Sequence, residues 1–575
     1  MDNSVAPMVI TDDGLQETAI SSKTNPSKGR WRAAIFIIFV EMAERFAYYG
    51  VAGNLFTYLT NVLGEHTATA AKNVNTWVGV SAIFPLLGGF IADSYLGRFK
   101  TIIASSVIYL AGLLLMTLSV SVQSLRHHRA VFFTALYILS IGEGGHKPCV
   151  QTFAADQFDE DTVEEKKDKS SFFNWWYVGI VVGSTTAILV VIYVQDNVGW
   201  GLGFGMLAAA VAAALLLFLI GIRSYRRQRP VGSPLTRVMQ VLVATARKLR
   251  VNETRYGRGV CLEDEGDGGV EEGGRRGRSL APTNQFRFLD KATIIDDIDA
   301  STKVRNHWRL CPATQVEEVK LLFSLFPIWL SCLTFATVIA QMSTYFTKQG
   351  STLERSIGSH FSIPPASLQV CTGLTILVSV GLYDRVLVPV ARKFTGLPSG
   401  ITMLQRIGTG IFFSMLTMVV AALVETKRIS VAIDHGLTDS PRTTLPMKIW
   451  WLLPQYMLTG MCDVFTIVGM QELFYDQMPE EMRSIGAALY ISTVGVGSLM
   501  SSAAISIVQA ITSRAGGKWL GDNLNRAHLN YFYSVLAGCS ALNLIVYIWV
   551  AKRFVYKKTG CDDPKGEQKK AAELA

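Results

Sequence analysis

The chain has 575 residues, half of them hydrophobic, and a formal net charge of +9. Charged residues are only 17% of the chain and cluster between long apolar stretches, a pattern typical of membrane proteins rather than soluble domains. No nucleic-acid recognition motif accompanies the positive charge, so we expect no nucleic-acid partner. The eight cysteines form no CxxC pair or other metal-ligand spacing, and we therefore expect neither a metal site nor a cofactor.

The N-terminal part of the chain predicts a short tail followed by membrane helices. Residues 1–32 are polar and lack the apolar stretch of a signal peptide, so we expect a cytoplasmic tail. Each apolar segment that follows has about 20 residues, enough to cross a bilayer as a helix. These segments predict an N-terminal six-helix bundle at residues 33–222, and they are Ala33–Leu59, Val74–Ala92, Thr101–Val120, Val131–Thr152, Phe172–Tyr193 and Trp200–Ile222.

Residues 223–318 form a polar linker, which we expect on the cytoplasmic side. The stretch Asp264–Gly277 is rich in glycine and charge and has no apolar periodicity, so it predicts disorder. The first part of the linker predicts an amphipathic helix along the membrane surface. Its signals are an N-cap, a proline in the first turn and apolar residues at helical spacing, namely Ser233, Pro234, Leu235, Val238, Leu242 and Ala246.

The rest of the chain predicts a second six-helix bundle at residues 319–551 and a cytoplasmic tail at residues 552–575. An even number of spans puts both termini on one side of the membrane, and the excess of Lys and Arg in the inner segments favours the cytoplasm. The predicted segments are Val319–Ala340, Ser367–Tyr383, Thr402–Val424, Ile449–Met470, Ser484–Ile511 and Leu529–Val550.

A weak internal repeat supports a design of two halves. The second apolar segment ends near Asp93, with Gly97 and Arg98 close behind, and the eighth ends with Asp384 and Arg385. An acidic residue that closes the second helix of each half, followed by basic residues, fits two duplicated bundles. Asp93 can accept hydrogen bonds from a neighbouring helix N-terminus, and Arg98 can bridge to a nearby acid. We therefore interpret these five residues as a conformational latch rather than a substrate site.

The first apolar segment contains three charged residues, Glu41, Glu44 and Arg45. Charged residues inside a membrane helix are costly and are usually functional. Their spacing of three and four residues puts them on one helix face, and Glu44 lies about 16 Å from the start of the helix. A structural ion pair is the alternative, but two carboxylates facing one arginine leave a titratable acid over.

The fourth apolar segment offers partners for that acid. Glu143, His146 and Lys147 lie in a stretch that Gly142, Gly144 and Gly145 loosen, with Pro148 after it. We expect Lys147 to pair with the spare carboxylate of the first helix. Glu143 and His146 are candidates for pocket or pore-lining groups, although a single His is often only hydrogen-bonded.

Several motifs resemble known families. The segment from Gly88 to Lys100 resembles the signature loop of the major facilitator superfamily, and Glu41 to Gly50 resembles the first-helix motif of the proton-dependent oligopeptide transporters. Further motifs resemble the plant nitrate/peptide transporter family within that group. They are Phe153–Phe158, Phe172–Tyr177, Phe286–Ala292 and Trp308–Cys311.

This resemblance implies roles for particular residues. Glu41, Glu44 and Arg45 would couple protons, with Lys147 as their charge partner. Asp463 matches a position where peptide carriers often have a Glu that meets the peptide amino group, and Ile339 replaces a His that some nitrate-carrying relatives have just before the Ala-Gln pair. The resemblance also places a set of residues near the substrate cavity, namely Tyr48, Tyr49, Asn174, Trp175 and Gln341.

We therefore expect an all-α membrane protein with twelve transmembrane helices in two six-helix halves, the major facilitator fold. The expected function is proton-coupled symport of a small polar or anionic solute, with nitrate first and a di- or tripeptide or a plant metabolite or hormone second. A nutrient sensor or a passive channel is the alternative from another class, but the intact set of acids and bases favours coupling. No nucleophile–base constellation predicts an enzyme. The expected location is the plasma membrane or the vacuolar membrane.

Overall fold

A computed structural model describes eleven stretches of the chain. Ser233, the stretch Asp264–Gly277 and both terminal tails beyond residues 29 and 556 lie outside the described residues. The described ranges are 29–122, 127–158, 163–227, 234–249, 283–296, 306–358, 361–396, 400–441, 443–478, 483–514 and 519–556.

The described residues form twelve long helices in two groups of six. The helices of the N-terminal half are α1 (Arg30–Ala52), α2 (Thr67–Ile91), α3 (Arg98–Ser121), α4 (His128–Ala155), α5 (Val163–Thr186) and α6 (Trp200–Ile220). Those of the C-terminal half are α7 (Ala313–Ile339), α8 (Gln369–Leu382), α9 (Met403–Asp434), α10 (Leu453–Gln477), α11 (Arg483–Arg514) and α12 (Leu529–Arg553). The predicted fold class is confirmed.

Ten helical spans in the described ranges are long and apolar enough to cross a membrane. They correspond to α2, α3 and α5–α12, so the two remaining long helices are α1 and α4. Those two carry the charged residues Glu41, Glu44 and Arg45 on α1 and Glu143 and Lys147 on α4. The helices that depart from an apolar composition are therefore the two that hold the predicted proton-coupling residues.

Short elements extend or connect the long helices. π-Helical turns at Ala92–Leu96 and Tyr383–Leu387 continue α2 and α8, at corresponding positions of the two halves, as the internal repeat predicts. Two small strand pairs join Leu353–Glu354 with Leu445–Lys448 and Ser356–Ile357 with Phe361–Ser362. The other short elements are Leu55–Asn61, Ala187–Val191, Ile192–Asn197, Gly221–Arg223, Met342–Phe346, Thr347–Ser351, Pro365–Leu368, Val388–Thr395 and Ile449–Leu452.

The linker contains the predicted helix, at Pro234–Arg247. Its buried apolar residues are Val238, Val241 and Ala244, whereas Ala246 is exposed, so the packed face is rotated slightly from the predicted one. A 3-10 helix at Arg287–Thr293 packs against it. Lys320 Nζ on α7 lies 2.6 Å from Asp290 Oδ1 of that turn, an ion pair that fixes this part of the linker to the C-terminal half.

The two halves meet along α2 and α11. Ser501 Oγ on α11 lies 2.9 Å from Asn75 Nδ2 on α2 and 2.9 Å from Gln341 Nε2 beyond α7. Small residues bring the backbones close, since a Cβ added at Gly495 would lie 2.9 Å from Gly79 O. We call these contacts of Asn75, Gly79, Gln341, Gly495 and Ser501 the seam. The ion pairs at the far end of α2, described below, each lie within one half.

Candidate transport site

The α1 charges form a compact ion cluster. Arg45 Nε lies 2.7 Å from Glu41 Oε1 and 3.0 Å from Glu44 Oε2. Both carboxylates are 3% exposed, so their charges are shielded from solvent. The spacing of three and four residues along a helix brings these side chains together, as the sequence predicts.

Glycines on α4 allow close helix packing beside this cluster. A Cβ added at Gly88 on α2 would lie 2.1 Å from Gly144 O, and one added at Gly142 would lie 2.7 Å from Tyr109 N on α3. Any side chain at these positions would push the helices apart. With its glycines against α2 and α3, α4 turns Lys147 toward α1, where its Nζ lies 4.2 Å from the centroid of the Tyr48 ring.

Lys147 makes its ion pair with Glu143, four residues earlier on the same helix. The sequence predicted a pair between Lys147 and a carboxylate of α1, and the structure differs because α1 presents the ring of Tyr48 to the ammonium instead. Residues four apart on a helix are direct neighbours, so Glu143 is the nearer partner. The cluster therefore contains three carboxylates, Glu41, Glu44 and Glu143, and two basic side chains, Arg45 and Lys147.

Several polar atoms in this cluster lack hydrogen-bond partners. Apart from their ion pairs, the buried oxygens of Glu44 and Glu143 accept no hydrogen bond from the described residues, and Nδ1 of His146 has no partner there either. A small cavity lies between Glu44, Tyr109 and His146, with about the room that one water molecule needs. Buried polar groups without partners typically cost about 1–3 kcal/mol each, so a proton, a water molecule or a solute that bonds to these atoms would be stabilised.

The residues predicted near the substrate cavity lie in different surroundings. Tyr48 and Tyr49 lie beside the ion cluster with ring centroids 5.3 Å apart, and the Trp175 side chain is exposed. Asp463 on α10 is half-buried and has no hydrogen bond or ion pair within the described part of the chain. Gln341 differs from the prediction, since it is fully buried and its amide nitrogen is bound in the seam. Nothing is described for the side chain of Asn174.

The predicted latch of the N-terminal half consists of close ionic contacts. Arg98 Nη1 lies 2.6 Å from Asp156 Oδ2 at the end of α4, and Arg98 Nε lies 3.6 Å from Asp93 Oδ1. Gly97 has a φ of 76°, a left-handed conformation that glycine adopts without strain and that lets α3 begin directly after α2. Asp156 is the acid that the sequence left unnamed.

The latch of the C-terminal half differs from the prediction. Asp384 and Arg385 are both exposed, and the corresponding contacts belong to Arg406, near the start of α9. Arg406 Nη1 lies 3.2 Å from Glu472 Oε2, and its guanidinium lies 4.3 Å from the centroid of the Tyr383 ring. Arg406 follows the start of α9 much as Arg98 begins α3, a signal that could have identified it.

Sequence reasoning missed a second buried ion cluster. Arg428 lies beyond the predicted ninth apolar segment, Thr402–Val424. It is nevertheless fully buried, because α9 continues to Asp434. Its Nε and Nη2 lie 2.9 and 2.8 Å from the two oxygens of Glu425. Arg428 Nη1 also donates to Asn525 Oδ1 at 2.7 Å, and Gln349 Nε2 donates to Glu425 at 2.7 Å. The spacing of Glu425 and Arg428 by three residues was the available signal.

Comparisons with known proteins identify relatives along nearly the whole chain. The model of the PTR2 domain, described as POT family, matches residues 99–520. Protein NRT1/PTR FAMILY 5.4 of Arabidopsis thaliana is 57% identical over 533 residues, which are 92% of this chain and 96% of that protein. Protein NRT1/PTR FAMILY 5.10 of the same plant is 48% identical over 574 residues, which are 97% of this chain and 98% of that protein.

Solved structures share the fold at lower identity. An auto-inhibited POT family peptide transporter matches with a TM-score of 0.69 and 21% identity, over 92% of this chain and 99% of that chain. A POT family transporter in complex with 5-aminolevulinic acid matches with a TM-score of 0.63 and 13% identity, over 92% of this chain and 98% of that chain.

Two six-helix halves that meet along a seam, with ionisable residues buried among the helices of both halves, define a multi-pass membrane transporter. The family model covers most of the chain, and the first of the plant relatives is 57% identical to it. The chain belongs to the POT family, and the family predicted from its sequence motifs is confirmed.

Proposed function

We propose that this protein is a proton-coupled symporter that moves a small polar or anionic solute across a membrane by alternating access between its two halves. The observation that carries this proposal is the buried cluster on α1 and α4, in which three carboxylates share two basic side chains. In a medium of low dielectric, an excess of buried negative charge favours the uptake of a proton. The cluster thus provides a site where proton binding changes the local charge.

An anionic solute can enter against a negative membrane potential only if positive charge moves with it, and protons supply that charge. Inward movement of an anion against a negative membrane potential costs about 2.3 kcal/mol per charge for each 100 mV. Two protons carried with each monovalent anion reverse the sign of the transported charge, so the potential then drives uptake. A proton on Glu41 or Glu44 weakens the hold of these carboxylates on Arg45, and the anionic group of a solute replaces the lost interaction.

The arrangement of contacts supports alternating access. The seam joins the two halves at the end where α2 begins, and on the predicted topology this end faces away from the cytoplasm. Arg98 with Asp156, and Arg406 with Glu472, bind helices within each half at the other end. Such pairs keep each half rigid while the halves rock about the solute.

Nitrate is the first candidate substrate, because Arg45 and Lys147 supply two cations at the centre of the N-terminal half. A specific observation favours a second candidate, a solute with an amino group such as a di- or tripeptide or an amine-bearing plant metabolite. Asp463 is half-buried without an ionic partner among the described residues, and a cationic amine would satisfy it. The solved relative that binds 5-aminolevulinic acid, which carries an amine and a carboxylate, is consistent with this candidate.

The membrane and the orientation belong to the proposal as well. We place the protein in the plasma membrane or the vacuolar membrane, with both termini and the linker of residues 223–318 in the cytoplasm. A tag inserted near Gly268 then reacts with an impermeant label only after the cytoplasmic face is opened. Labelling of that tag in sealed cells of known orientation contradicts this topology.

The test is uptake of a substrate panel by purified protein in liposomes, with and without an inward proton gradient. The panel contains nitrate, dialanine and an amine-bearing carboxylic acid, and protein-free liposomes are the control. We expect at least one compound to accumulate above equilibrium only when the gradient is present. A compound that equilibrates without accumulating indicates a passive channel, and no movement of any compound, including exchange, favours a sensor.

A further inference from the structure

Glu143 is a buried acid of the ion cluster to which the mechanism above gives no step of its own. Its side chain is completely buried on α4, where it forms the ion pair with Lys147. α1 presents Glu44, Arg45 and Tyr48 at this level, and α3 presents Tyr109. α2 packs on the adjacent Gly144 with Gly88 and Phe84, which carry no charge. Glu143 therefore faces two cations, one further acid and two phenols.

The pair with Glu143 determines what Lys147 can do. Opposite charges in contact cancel each other at a distance, so an anion that approaches α4 meets little net positive charge while the pair is intact. Glu143 and a solute carboxylate or nitrate are also competitors for the same ammonium. Lys147 can serve an anionic solute only after its intrahelical partner has lost its charge.

We infer that Glu143 is a proton-dependent gate on Lys147: protonated Glu143 releases the ammonium, which then binds the anionic group of the solute. The inference deepens the proposed function and rests on it. The incoming proton adds to one carboxylate oxygen of Glu143, and Lys147 keeps its own proton throughout. The pair gains one positive charge, which the bound anion neutralises. The proton and the anion both leave when access has switched to the other side.

This role gives the cluster a second proton site. One proton on the α1 carboxylates and one on Glu143 supply the two protons that inward transport of a monovalent anion requires. His146, one turn after Glu143, and Glu44 line the small cavity between the helices. A water molecule in that cavity provides a path for the proton between α1 and α4.

The alternative role for Glu143 is purely structural, and it leads to different expected results. If Glu143 only holds Lys147 in one rotamer, its replacement lowers stability and leaves the pH dependence of solute binding as it was. Glu65 offers a matched control, because it is also a buried glutamate with a basic partner, Arg129 Nη2 at 2.5 Å. It lies in the connection before α2, outside the ion cluster.

The experiment uses full-length protein in lipid nanodiscs, with nitrate and dialanine as probes at pH 5.5 and pH 7.5. Each proton taken up with the anion raises the wild-type affinity by up to about tenfold for each unit that the pH falls. Glu143→Gln should bind more tightly than the wild type at pH 7.5 and should lose the share of the pH dependence that one proton supplies, whereas Glu65→Gln should keep the wild-type dependence. Glu143→Asp keeps a titratable acid and should retain the pH dependence.

Infrared difference spectra between the two pH values provide a readout that needs no substrate. We expect a protonated-carboxyl band in the wild type that is weaker in Glu143→Gln, by the part that Glu143 contributes, and unchanged in Glu65→Gln. An identical band in the wild type and Glu143→Gln, or unchanged pH dependence of binding in Glu143→Gln, overturns the inference.

A wild type that neither binds nor transports any probe overturns the proposed function instead, while the spectra still decide whether Glu143 takes up the proton. If Glu143→Gln does not fold, the spectra and binding of Glu143→Asp beside the wild type decide the matter, and a pH-independent affinity in both contradicts the gate.

Discussion

Each half of the molecule buries an ion cluster, and the two clusters differ in how completely their polar atoms are satisfied. In the C-terminal half, the two oxygens of Glu425 meet two nitrogens of Arg428, and Asn525 and Gln349 bind the remaining sites. In the N-terminal half, Glu44 and Glu143 have ion pairs but their buried oxygens accept no hydrogen bonds from the described residues. The same residue types thus occur in two different electrostatic settings.

The difference distinguishes a structural pair from a titratable one. A buried network whose members are all satisfied is rigid and resists a change of protonation, because every atom would lose a partner. A network with unsatisfied oxygens loses fewer bonds when it takes up a proton, because apart from the ion pairs those oxygens accept no hydrogen bond from the described residues. We therefore expect mutations in the cluster of Glu425 and Arg428 to act on stability, and mutations in the cluster on α1 and α4 to act on coupling.

The largest expected effect is on the folding of Arg428→Ala. Removal of the arginine leaves Glu425 as an uncompensated charge in a buried site, which typically costs about 3–5 kcal/mol. We expect a large fall in the thermal midpoint of the purified protein and a low yield of monodisperse material. Lys427→Ala, one residue away and exposed, is the control. A Arg428→Ala protein as stable as that control would show that the pair contributes little.

The second effect is on coupling in Glu44→Gln. The amide imitates a permanently protonated acid with little change of shape, so we expect pH-driven accumulation to disappear while the protein still reaches the membrane. Solute exchange should survive, because exchange needs no net movement of protons. Uptake with and without a pH gradient, together with counterflow, measures both activities. Lys147→Ala should lose accumulation as well, and wild-type pH dependence in both variants would mean that these charges are structural.

A smaller effect is expected at the latch. Asp93→Asn weakens the 3.6 Å contact with Arg98, a partly exposed pair, so we expect turnover to slow by about two- to fivefold, the equivalent of at most about 1 kcal/mol. Equilibrium binding of the solute should stay nearly the same, because the pair lies at the end of α2 and not beside the ion cluster. Turnover in liposomes and binding in detergent separate the two quantities. A large loss of affinity in a folded Asp93→Asn protein contradicts the latch.

The smallest effect concerns pH at the rim of the seam, where Asp522 in the C-terminal half accepts a hydrogen bond from Thr67 N at 2.7 Å and lies 2.5 Å from His66 Nδ1. Partial burial alone would raise the pKa of Asp522, but these two groups favour the carboxylate and hold its pKa below its usual value. A lowered pKa stabilises the contact fully above the ordinary aspartate pKa of about 4, and this stabilisation is lost as the pH falls below it.

Asp522→Asn should therefore lower the thermal midpoint slightly at pH 5 and should lose less stability than the wild type between pH 5 and pH 3. The side chain is more than half exposed, so solvent screening keeps the difference small. Parallel melting curves of the two proteins at each pH provide the measurement. Equal losses in both proteins would show that Asp522 does not link the halves.

The sequence was sufficient for features that depend on composition and local spacing. Twelve apolar segments, the charged face of α1 and the surface helix of the linker follow from helical periodicity and from what a bilayer tolerates. The spacing of Glu143 and Lys147 by four residues was an available signal for their pair, but the Tyr48 ring beside the ammonium could not be predicted, because it depends on how α1 and α4 pack. Arg428 was misplaced because charges at the end of an apolar run resemble a loop, although the helix continues for another turn and more.

Other differences depend on the conformation of the whole molecule. Gln341 is bound to Thr337 and Ser501 within the C-terminal half, and these contacts depend on how α7 and α11 pack, which no local pattern encodes. The C-terminal latch moved from Asp384 and Arg385 to Arg406 and Glu472, since exposure of the side chains beyond α8 depends on how α9 and α10 pack. Distances between segments far apart in the chain decided each of these cases.

The seam has a consequence for where the protein waits between cycles. Within the membrane helices, its contacts are hydrogen bonds of neutral groups and close approaches of glycine, so neither pH nor salt changes their strength directly. The contribution of the seam to the free energy of opening that face is then independent of pH and salt, and it helps to set a resting population. A solute arriving there binds with its intrinsic affinity reduced by the open fraction. Small residues on α2 and α11 thus tune the apparent affinity on one face of the membrane without touching the solute.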